Sequence, residues 1–119
     1  MTLAANIVSG VVAVLHLYFL TLEMFLWEKP LGLKTFRQDK EKAAITAVLA
    51  KNQGLYNGFL SAGLVWSLLH PDASVALQLQ RFFLGCVVVA GAYGAATVNK
   101  RILFIQAVPA LLGLALGFL

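Results

Sequence analysis

With 119 residues, 61% of them hydrophobic and 12% charged, and a mean hydropathy of +0.85, this chain is too apolar for a soluble domain, in which about a quarter of residues are charged. Its length holds one domain, residues 1–119, and four spans of roughly 20 residues would use most of it. The net charge of +4 does not imply nucleic acid, because the basic residues lie between apolar runs as topology signals; one cysteine, Cys86, excludes an internal disulfide and paired-cysteine metal motifs.

The first span is expected over residues 3–27, with Asn6, Ser9, His16, Thr21 and Glu23 as polar members and Tyr18 and Trp27 as interface anchors. It has no basic region before it and outruns a signal sequence, so it is expected to be retained. His16 and Glu23 are seven residues apart, about 20° short of two full helical turns, so they share one face. Residues 28–43 form a basic loop that Pro30 and Gly32 open, and Leu31, Leu33 and Phe36 suit part of it to the membrane surface as a short amphipathic element.

A helix beginning near Asp39 or Lys40 carries the second span, residues 45–69. Lys-Asn-Gln-Gly-Leu-Tyr-Asn, residues 51–57, places polar groups inside this apolar run, where each must find a partner or water, so they are functional candidates. Gly54, Gly58 and Ala62 recur every four residues as a strip for close packing. Asn52 with Tyr56, and Gln53 with Asn57, are i, i+4 pairs. Pro71 marks the next turn, and Asp72 to Ser74 can cap the third span, residues 75–98. That span's second half is rich in Gly and Ala, which predicts a central position away from lipid, and Tyr93 and Thr97 are one turn apart. Asn99, Lys100 and Arg101 form a short turn into the fourth span, residues 102–119, where Gln106 is polar and Pro109 can kink the helix.

These elements predict an all-α fold, an integral membrane four-helix bundle with antiparallel, up-down topology. Eight of the nine basic residues fall in the loop of residues 28–43, at Lys51 and in the Asn99 turn, and Arg81 alone falls on the other side. By the positive-inside rule the two basic loops are cytoplasmic and both termini face outwards, in a multi-pass protein of the inner membrane. This orientation sets Glu23, residues 52–57, Tyr93, Thr97 and Gln106 at one depth, in the cytoplasmic halves of four helices.

At Glu-Met-Phe-Leu-Trp (residues 23–27), Lys-Asn-Gln-Gly-Leu-Tyr-Asn-Gly-Phe-Leu (residues 51–60), Ala-Gly-Ala-Tyr-Gly-Ala-Ala-Thr and residues 106–111, the chain resembles the small bacterial and fungal membrane proteins grouped as domain of unknown function 1304. The resemblance covers nearly the whole length and implies a four-span integral membrane protein with no established activity. Some members carry an epimerase label, but this chain has no sugar-nucleotide or dinucleotide motif.

The functional expectation is a cytoplasm-facing polar pocket of Glu23, Asn52, Gln53, Tyr56, Asn57, Gln106, Tyr93, Thr97 and His16, which binds a small molecule or lipid and is suited to moving it. Beyond the bilayer the partner is a second copy, because four short helices enclose little room; no cofactor and no metal are expected. Small multidrug exporters are similar in length, span count and a carboxylate in the first span, but the strong charge bias here disfavours dual topology. Two other readings stand beside this one. In the first, an assembly subunit uses its polar cluster only to lock helix register. In the second, a lipid- or quinone-modifying enzyme uses Glu23 with His16.

Overall fold

The computed structural model describes residues 2–98 and 100–119, so Asn99, expected in the last turn, lies outside the described residues. The chain is all-α: α1 (Leu3–Met24), α2 (Pro30–Phe36), α3 (Lys40–Leu69), α4 (Ala73–Thr97), a π-helical segment (Leu103–Ala107) and α5 (Val108–Leu116), with no strand among the described residues. Local chemistry explains most of the boundaries. Asp39 precedes α3 and accepts from the Lys42 amide at 2.7 Å, and Asp72 accepts from the Ser74 and Val75 amides at 2.9 and 3.1 Å, which satisfies donors that a helix start leaves open. Pro30 opens α2, and Arg37 closes it in the left-handed region at φ 52 and ψ 50. Pro109 sits at the start of α5, directly after the π segment. Because proline offers no amide hydrogen, the ladder is already interrupted where the wider turns occur.

Two helices, α1 and α4, are long and apolar enough to cross a membrane. Helix α3 is longer than either, but its charged first turns and the polar block at residues 52–57 dilute its apolar character. The last apolar helix, Phe104–Leu116, is shorter.

The chain forms two compact units, Met1–Val14 with Leu60–Leu119, and Leu15–Phe59. In the first, Val12, Ala13, Leu64, Leu84, Val87 and Ala110 form one buried apolar cluster, flanked by Val8, Leu60, Phe83, Val88 and Leu114. The Ser61 hydroxyl donates to the Ala13 carbonyl, and Gln80 Nε2 donates to Asn6 Oδ1 at 3.1 Å. Arg81 Nη2 donates to the Gly117 carbonyl at 3.3 Å, and its guanidinium lies 3.9 Å over the Phe118 ring. Helix α4 runs against the segment that follows it, with Gly91 opposite Ala107 and Gly94 opposite Ile102. The small-residue half of α4 is one-sided, contrary to its expected central position. Gly91 is buried, while Ala90, Ala92, Tyr93, Ala96 and Thr97 are exposed, because one neighbouring strip covers only one side of a helix.

In the second unit the end of α1 runs antiparallel to the start of α3. A Cβ at Gly54 would lie 2.6 Å from Met24 Cγ and 3.3 Å from the Leu20 carbonyl oxygen, and Gly58 faces Leu20. Glycine therefore sets this close approach, as the small-residue strip predicted, although Ala62 is exposed and Ser61 takes the seam position instead. Helix α1 ends at Met24, short of the expected Trp27, where the Thr21 carbonyl accepts from both Phe25 and Leu26 at 3.0 and 3.2 Å. Trp27 then turns back: its indole N–H donates to Thr46 Oγ1 at 3.1 Å and its ring sits 4.8 Å from that of Phe36. Helix α2 is pressed onto this corner. A Cβ at Gly32 would lie 2.9 Å from the Trp27 carbonyl oxygen, and backbone carbonyls have little freedom to move aside.

Candidate functional site

The buried positions of α3 are Ala43, Ala50, Gly54, Asn57, Ser61, Gly63, Leu64 and Ser67; all but Gly63 follow one another at three, four or seven residues, as for a helix packed along one seam. Asn57 is the one polar member of the 52–57 block on that seam. On α1 the buried positions include Ser9, His16 and Glu23, successive residues of a seven-residue interval that returns each to nearly the same face. The carboxyl of Glu23 and the amide of Asn57 meet there: Asn57 Nδ2 donates to Glu23 Oε1 at 2.5 Å, with Glu23 only 3% and Asn57 9% exposed. Close approach at Gly54, one turn from Asn57, brings the two backbones near enough for these short side chains to touch.

No ion pair reaches Glu23 among the described residues, and Lys51 is exposed. The amide is neutral. It offers a dipole to a carboxylate but cannot cancel its charge, and a buried charge without an opposite charge is costly in an apolar medium. His16 is fully buried on the same face of α1, with its ring edge-on to Phe19 at 5.4 Å. No group of three His, Cys, Asp or Glu side chains placed to hold a metal occurs among the described residues.

The remaining predicted residues are placed differently. Asn52, Gln53 and Tyr56 lie on the exposed side of α3, and Tyr56 is 58% exposed. Tyr93, Thr97 and Gln106 belong to the other unit. Tyr93 is exposed, the Thr97 hydroxyl donates to the Tyr93 carbonyl of its own helix at 2.7 Å, and Gln106 is half-buried within the π segment. Ser61, which sequence reasoning left without a role, lies four residues beyond Asn57 on the same seam. That seam is readable in the repeat of small residues from Ala43 to Ser61. Gln80, also buried, carries no comparable signal.

A cleft of about 290 Å³ opens in the second unit, lined by Met24, Phe25, Trp27, Glu28, Lys29, Ala47 and Lys51. Of the residues expected to line a pocket, none is in its wall.

Comparison with known proteins adds a family and no activity. Over 120 residues, 99% of each chain, the sequence is 32% identical to "Uncharacterized protein YpaA" of Lactococcus lactis subsp. lactis (strain IL1403). No solved structure matches. The family model described as "Protein of unknown function (DUF1304)" matches residues 10–118, and the chain belongs to that family.

Proposed function

We propose that this is a four-span protein of the inner membrane, its helices running up and down and its basic loops in the cytoplasm. It binds a small polar or cationic molecule at the Glu23–Asn57 pair and exchanges it against a proton. One observation carries this reading: a carboxyl group 3% exposed whose hydrogen-bond partner is a neutral amide. Had the chain needed only a lock between helices, two amides would serve without the cost of burying an ionisable group. A carboxyl facing an amide instead alternates between two neutral states, one holding a proton and one holding a cation. Asn57 orients the carboxyl in both. His16, two turns away on the same face of α1, offers a second proton-handling group along that face.

Native mass spectrometry of gently extracted protein tests the binding step. The wild-type chain is expected to retain a small molecule that Glu23→Gln loses, because the variant keeps the oxygen that accepts from Asn57 but cannot carry the charge. The same adduct on both chains contradicts the assignment of Glu23.

A second reading is favoured by the directness of the Glu23–Asn57 bond: an assembly subunit in which the pair fixes the register of α1 on α3. In that case Asn57→Ala lowers thermal stability in the same way, but no ligand is retained by either chain.

A further inference from the structure

We infer that the cleft at the basic end of the second unit is a binding site for the headgroup of a monoanionic phospholipid. This rests on the proposed placement of that end at the membrane surface, and not on any role of Glu23. Chemically, the lining divides in two. Lys29 and Lys51 are exposed at its edge, while Met24, Phe25 and Ala47 form an apolar wall with the Trp27 ring. Two lysines against Glu28 leave a balance of one positive charge, which suits a phosphodiester monoanion and not a multiply charged phosphate. A free anion would leave the apolar wall unfilled, whereas a lipid brings glycerol and acyl carbons to it. Phe25 in that wall is 66% exposed, and Val48, beside Ala47 and one turn before Lys51 on α3, is 78% exposed, so apolar surface suited to acyl chains adjoins the cleft.

Contacts behind the cleft position its aromatic residue. Trp27 donates to Thr46 and packs against Phe36, and α2 closely approaches the Leu26 and Trp27 carbonyls at Gly32. Tryptophan at this level is the ring type that settles among headgroups, and the short amphipathic α2 belongs to the same layer.

The test uses the full chain with Trp66→Phe, so that Trp27 is the remaining tryptophan, placed in nanodiscs of phosphatidylcholine with increasing phosphatidylglycerol. Trp27 emission is expected to change saturably with the anionic lipid, and Lys29→Ala with Lys51→Ala is expected to weaken that response about tenfold. Lys34→Ala with Lys40→Ala, which removes the same charge outside the cleft, should leave it within about twofold. Nanodiscs expose both faces, so the result does not depend on orientation, and Glu23→Gln should respond as the wild type does. Equal loss in the two lysine pairs would show diffuse attraction and overturn the site. A Trp27 response to millimolar inorganic phosphate in uncharged detergent, matching that to phosphatidylglycerol, would overturn the lipid as its occupant. Loss of the response in Glu23→Gln would overturn the independence of the two sites.

Discussion

The two units of this molecule take opposite ends of α1 and α3, the first adding α4, the π segment and α5 and the second α2, and they have different interiors. Around Val12, Leu64, Leu84, Val87 and Ala110 the first holds an apolar cluster, and its buried polar side chains, Ser9, Ser61, Ser67 and Gln80, are all neutral, Gln80 being paired with half-buried Asn6. In the second, the buried apolar residues are Leu22, Ala43 and Ala50, and the larger buried side chains beside them include His16, Glu23 and Asn57. The contrast lies in charge. One unit buries neutral polar groups beside an apolar cluster, and the other buries an ionisable carboxyl against a neutral amide, the costlier group to keep from water.

The largest expected break in this comparison comes from the first unit. Leu84→Ala removes a fully buried side chain from the apolar cluster and should cost about 2–5 kcal/mol in detergent unfolding. Next is Asn57→Leu, which leaves the Glu23 carboxyl without its donor and should cost about 1–3 kcal/mol. Adding Glu23→Leu to it should recover most of that loss, since replacing both partners by apolar groups is often neutral. If the double variant is no better than the single, the cost lies in packing and not in the orphaned carboxyl. A smaller effect is expected for Asn6→Leu, which breaks the neutral pair and should lower stability by about 0.6 kcal/mol, the average for such bonds in membranes. Smallest is Glu23→Gln, expected to remain within about 0.5 kcal/mol of the wild type because the accepting oxygen survives. A large loss there would place Glu23 among the structural residues.

Much of the fold was legible because its signals are local. Asp72 caps the helix it was expected to cap, α3 begins at Lys40 as expected, with Asp39 accepting from its first turn, Pro30 begins the amphipathic turn of the loop, and Gly54 and Gly58 face the close approach of α1. The site was less legible, because it depends on how each helix is rotated about its axis. Asn52, Gln53, Tyr56 and Asn57 are equally polar in sequence, yet one seam selects Asn57 and leaves the other three exposed. Trp27 gives the same lesson. An aromatic residue at a span's end suggested an anchor, and its indole N–H also donates to Thr46, nineteen residues later in the chain. No local pattern encodes such a partner.

The central claim is that Glu23 exchanges a proton for a cationic ligand. It is tested most directly in proteoliposomes loaded with a pH-sensitive dye, to which gradients of sodium, potassium or tetraphenylphosphonium are applied in turn. The wild-type chain is expected to move protons in response to at least one of these cations, and Glu23→Gln, folded and inserted to the same extent, to move none. Identical pH traces from the two proteins would contradict the account.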